Sequence, residues 1–153
     1  MSEVRARPKH YRYRTAVRWT GERRGILSSS GKPDVEVSTP PEFKGHEGVW
    51  SPEEMMVACV ETCIMLTFLY FAERSGVELI AYQSESEGRL ELAPEGMAFT
   101  LFTVWPRIVV AAADQTEAAR EAMRKAETAC LVTRSMGADV EVQVILDVSA
   151  GRG

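Results

Sequence analysis

The chain is poor in the residue types that announce common chemistries. It has two histidines, His10 and His46, and neither stands at metal-ligand spacing with any of its three cysteines. Cys59 and Cys63 supply two sulfurs one helical turn apart, short of the four ligands that close a structural zinc site, so no metal and no other cofactor is expected. There is no glycine-rich phosphate loop. No serine stands in a nucleophile turn, which sets aside Ser-His-Asp hydrolysis. No apolar stretch follows Met1, so no secretory leader is visible, and a reducing cytoplasm is the default compartment. Three cysteines in such a compartment do not read as a disulfide framework. Positive charge is in the minority, and a net charge of −4 argues against a nucleic-acid binder. Internal repeats and low-complexity segments are missing too.

What is present fits one globular domain spanning 1–153, since that length builds one real core and hardly two. Basic residues crowd the beginning: Arg5, Arg7, Lys9, Arg12, Arg14, Arg18, Arg23 and Arg24. They read as a solvated edge strand with positive gatekeepers, behind a flexible arm over 1–10. The rival reading is an arm that touches an anionic partner.

The stretch from Ser51 to Gly76 dominates the rest. Ser51 suits an N-cap, Pro52 the first helical position, and Glu54 completes a Ser-x-x-Glu capping box. Glu53 and Glu54 put negative charge at the positive end of the helix dipole. From Met55 to Ala72 nearly every residue is apolar, and Gly76 marks the stop. Such a helix is expected to be buried nearly all round, wrapped by its own sheet or by a second copy of the chain. It is short for a bilayer span, Glu61 interrupts it, and both flanks are charged, so no membrane partner is expected.

Around it the pattern predicts strands at Tyr11–Trp19, Ile26–Ser29 and Val35–Val37, then an ordered loop from Thr39 to Trp50. Val77–Leu92 and Met97–Ala111 form a long hairpin about Ala93-Pro94-Glu95-Gly96, in which Pro106 demands a bulge or an edge. A second helix starts near Asp114 or Thr116 and presents Ala119, Ala122, Met123 and Ala126 on one narrow apolar face. It delivers Cys130 at its end, and a last strand covers Asp139–Val148. Strands in groups with two helices indicate the α+β class.

From the residues alone Cys63 stays open between two roles. A thiol in an apolar helix is commonly a buried filler, and reactivity needs a lowered pKa as well as position. The same holds for Cys130.

The segment from Ser51 to Cys63, Ser-Pro-Glu-Glu-Met-Met-Val-Ala-Cys-Val-Glu-Thr-Cys, resembles a helix of the OsmC/Ohr family that opens on Pro-Glu and ends on a cysteine. These are the osmotically inducible and organic hydroperoxide resistance proteins. Thr20–Gly25 is similar to the family's early Gly-Arg turn, and Ala126–Met136 to its second-cysteine segment. The resemblance covers the chain from about Thr15 to Val148. It implies an OsmC-like α+β fold, with antiparallel sheets wrapped around two central helices, and a thiol peroxidase acting on organic hydroperoxides. It further implies that Cys63 is the peroxidatic residue and Cys130 the resolving one, with Arg23 and Glu53 completing the site. An external dithiol, in one branch a lipoylated protein, would reduce the disulfide. The chain departs from the family in three ways: Leu131 stands where proline usually follows the second cysteine, position 50 is Trp, and Cys59 is an extra thiol; Arg24, one residue on in the turn, competes with Arg23 for the guanidinium role. The alternative reading is a non-peroxidase of the same fold that binds a small apolar ligand in a dimer-interface pocket.

Helix geometry adds one expectation. Glu53 precedes Cys63 by ten residues, about 15 Å along a straight helix, so the two cannot share a site on one copy of it. If both serve the site, Glu53 comes from a second subunit or the chain bends sharply. Together with the apolar helix this predicts an intertwined homodimer.

Overall fold

The structure, a computed structural model, describes residues 9–151, so Arg5, Arg7 and most of the expected arm over 1–10 lie outside the described residues. The chain divides into two compact units, one ending at Glu53 and the other beginning at Glu54.

In the first unit β1 (Ala16–Gly21), β2 (Arg24–Ser28) and β3 (Val35–Ser38) form an antiparallel sheet in that order. Gly21 (φ 120°) and Glu22 (φ 49°) turn the chain tightly, and the pairing Gly21↔Arg24 leaves Glu22 and Arg23 at the hairpin tip. The first strand starts later than its alternation suggested. Its partner runs out at Ala16↔Ser28, and without a ladder Tyr13 stays 91% exposed. The loop to Trp50 is ordered, but not by its aromatics, since Phe43 and Trp50 are both exposed. Backbone bonds hold it instead, including Gly45 N to Pro40 O at 3.0 Å and Ser38 N to Trp50 O at 2.9 Å. A Cβ on Gly45 would fall 1.4 Å from Thr39 O, so only glycine permits this fold-back.

Helix α1 runs from Pro52 to Arg74, with Ser51 fully buried just ahead of it. In the second unit β4 (Leu79–Ala93) and β5 (Gly96–Val110) make the long antiparallel hairpin, followed by α2 (Thr116–Ala129) and a single turn, α3 (Leu131–Arg134). Two short strands then return, β6 (Asp139–Val142) and β7 (Ile145–Val148), both parallel to β5. The single last strand expected from alternation is therefore two, and this sheet is mixed. The break explains Pro106, which lies mid-strand opposite Ser84. Gln143 N donates to Val104 O at 2.9 Å, so the same side of β5, two residues on, is where Pro106 lacks its N–H. That side faces the interval between Val142 and Ile145, where ladder pairing stops.

Ile64, Phe68 and Ala72 of α1 pack with Ile108 and Val110 of β5, with Ala119, Ala122, Met123 and Ala126 of α2, and with Cys130. Each large side chain buried in this way contributes about 1.5–3 kcal/mol. The narrow face read from the α2 sequence is the face that is buried. For α1 the expectation of burial all round does not hold in one chain. Only Val60, Ile64, Phe68 and Ala72 are buried, while Leu66 and Tyr70 are more than half exposed. By length and composition α1 is apolar enough to cross a membrane, yet one side of it belongs to this core.

Candidate functional site

Cys63 and Cys130 meet within the second unit. Cys63 lies in mid-α1, half-buried, and Cys130 is completely buried at the joint between α2 and α3. Cys130 N still bonds to Ala126 O at 2.9 Å, closing the last turn of α2. Its ψ of 117° then breaks the helix, and α3 starts afresh at Leu131. A new helix start leaves backbone N–H groups without intrahelical partners. Those of Leu131 and Val132 are close enough to the sulfur of Cys63 to favour its thiolate.

The two thiols are driven in opposite directions. Burial alone pushes the Cys63 thiol up, but four donors outweigh it: the Cys130 thiol, the Val132 N–H, the Thr67 hydroxyl and the Leu131 N–H. The net effect holds Cys63 below the ordinary thiol range. Thr67 stands one turn further along α1, its Oγ1 4.0 Å from the Cys63 sulfur. Cys130 is pushed up, first by burial and then because its own proton is donated to Cys63, with Thr133 partly offsetting both. Of the pair, Cys63 is the thiol shifted toward its anion and Cys130 the one shifted toward keeping its proton. A thiolate is a nucleophile, and a neighbouring thiol can capture its oxidised product as a disulfide.

The other two expected site residues belong to the first unit. Arg23, exposed at the β1–β2 tip, donates to the carbonyl of Phe43. Arg24 pairs at 3.4 Å with Glu36, an exposed ion pair of small worth, and its Nε is buried without a partner. Both arginines line a cleft of about 300 Å³ with Val17, Trp19, Val37 and Pro52. Glu53 stands in the first turn of α1 with Oε2 buried and unpaired. The helix continues unbroken to Cys63, ten residues and about 15 Å of rise further on.

The sequence reading missed Thr67 and the two backbone donors. Thr67 had a signal, its spacing of four from Cys63. Leu131 had one as well, because a residue in the usual place of proline brings an N–H that proline lacks.

Fold and thiol pair together define a class: an α+β protein whose long apolar helix carries a half-buried cysteine against a fully buried second one. The sequence profile of the OsmC-like proteins matches residues 45–145, and the chain belongs to that family. It is 30% identical over 137 residues to YmaD of Bacillus subtilis (strain 168), an uncharacterised protein, across 87% of this chain and 91% of that one. An OsmC-like protein of unknown function from Vibrio cholerae O1 biovar eltor superposes with a TM-score of 0.80 at 20% identity, covering 89% of this chain and 100% of the other. An organic hydroperoxide resistance protein from Legionella pneumophila gives 0.67 at 22% identity, covering 90% and 98%.

Proposed function

We propose that this protein is a thiol-dependent peroxidase that reduces organic hydroperoxides, working as a homodimer in the cytoplasm. The observation that carries the reading is the opposed pair, Cys63 held toward thiolate and Cys130 toward thiol. The Cys63 thiolate attacks one oxygen of the O–O bond, the alcohol departs with a proton, and Cys63 becomes a sulfenic acid. The sulfur of Cys130 then displaces water from that sulfenic acid, forming the Cys63–Cys130 disulfide. An external dithiol exchanges with the disulfide, restoring both thiols and leaving oxidised itself. The name of the Legionella pneumophila protein, an organic hydroperoxide resistance protein, supports the choice of substrate.

Arg23 is the guanidinium that polarises the leaving oxygen and Glu53 the carboxylate that orients it. With Glu53 about 15 Å along the helix from Cys63, Glu53 comes to the thiol from a second subunit. The apolar exposed residues of α1, Met56, Leu66 and Tyr70, support a second copy as the cover of that side.

The test compares wild type with Cys63→Ser in consuming cumene hydroperoxide with a dithiol reductant. The variant is expected to lose consumption entirely, and equal rates overturn the assignment. A fully active monomer in gel filtration with light scattering overturns the shared site.

A further inference from the structure

Glu61 is the one charged residue between Met55 and Ala72, and nothing in the peroxide chemistry uses it. It is half-buried and faces β4. Ser84 Oγ donates to its Oε1 at 2.6 Å, and Ser86 Oγ donates to its Oε2 at 2.8 Å. These serines are alternate residues on the inward face of one strand, so both carboxylate oxygens are gripped from a single rigid element. On either side of the grip the same face of α1 makes only apolar, non-directional contact. Val57 lies against Gly88, where an added Cβ would fall 2.7 Å from Val57 Cγ2, and the Phe68 ring meets Tyr82 at 5.7 Å between centroids. Close packing of its buried side chains seats the helix, and two charge-assisted hydrogen bonds add directional contacts that resist a small turn about its own axis.

Cys63 comes two residues after Glu61, a rotation of about 200° on a helix of 3.6 residues per turn. The carboxylate and the thiol therefore project from opposite sides of α1, one toward β4 and the other toward the α2–α3 joint. A small turn of the helix would swing the sulfur across the Leu131 and Val132 N–H groups. We propose that Glu61 is a positioning residue for the reactive thiol: held by Ser84 and Ser86, it sets the rotation of α1 and so the direction in which Cys63 points. This rests on Cys63 being the reactive thiol.

The test is the rate of iodoacetamide alkylation of Cys63 in the full chain, followed site by site by mass spectrometry against pH. It needs no peroxide, so it fails or succeeds separately from the peroxidase reading. Glu61→Met should fold, and at neutral pH its Cys63 should react about tenfold more slowly, a rise of about one unit in the titration midpoint. Glu61→Gln keeps both partners, accepting from Ser84 and donating to Ser86, and should stay within about twofold of wild type. An unchanged rate in Glu61→Met overturns the proposal, as does a Gln variant slowed as much as the Met variant. The double variant Ser84→Ala/Ser86→Ala provides a second reading should the Met variant not fold: slowing supports the grip, and a wild-type rate sinks it. A wild-type Cys63 that reacts no faster than Cys59 at neutral pH would instead remove the thiolate reading beneath it.

Discussion

Cys63 and Cys130 are the same side chain in two opposed conditions. One is half-exposed with four neighbouring groups that favour its anion, and the other is sealed from water and held toward its protonated form. Burial pushes both thiols up, so burial does not distinguish them. The count of donors does. A cysteine beside a fresh helix start and another thiol is shifted toward its anion even within an apolar core, whereas the cysteine at the joint itself is shifted the other way.

The sharpest way to break that asymmetry is to remove the reserve. Cys130→Ser should complete one peroxide turnover and then stall, with Cys63 trapped as sulfenic acid or over-oxidised. A steady multi-turnover rate in this variant would show that another thiol resolves Cys63.

Next in size is Leu131→Pro, which deletes one donor to Cys63. The substitution suits the backbone, since the first helical position tolerates proline and Cys130, at ψ 117°, already has the extended form that precedes one. Loss of one backbone donor to the thiolate, worth about 1 kcal/mol at this half-exposed sulfur, should slow Cys63 alkylation about fivefold at neutral pH. Unchanged kinetics would mean that Val132, Thr67 and Cys130 suffice.

The smallest effect sharpens the contrast through pH. The pKa of Cys63 is lowered on folding from an ordinary value of 9.0, so its thiolate adds stability that is complete above that value and is lost as pH falls through the folded pKa. Cys130 is raised, so its contribution is complete below the ordinary value and is lost as pH rises through the folded one. The melting-temperature gap between wild type and Cys63→Ser should therefore widen from about pH 6 to about pH 9, by about 2–4 °C for each kcal/mol. A gap that narrows over that range contradicts the direction.

Much of this was legible because period and punctuation agree in the second unit. The α2 stripe of Ala119, Ala122, Met123 and Ala126 is the buried stripe, and the hairpin pivots at Pro94 and Glu95 as written. Other features hide from a linear reading because they depend on partners. The run of alternating valines from Val140 to Val148 gives no hint of a break, which exists because a proline on the neighbouring strand cannot donate. The α1 run is apolar on every side, so periodicity could not say which side its own sheet covers. Glu61 reads as an interruption in that run, and its meaning lies in two serines on a strand 23 and 25 residues away.

The complete burial of Cys130 also bears on how the molecule ages. Cys130 is sealed from solvent, so of this pair Cys63 is the sulfur open to a dissolved oxidant and to the irreversible steps to sulfinic and sulfonic acid. The hidden atom meets oxidising power only when its neighbour hands it over, one bond at a time. Wear collects at the open sulfur while the sealed one is spared.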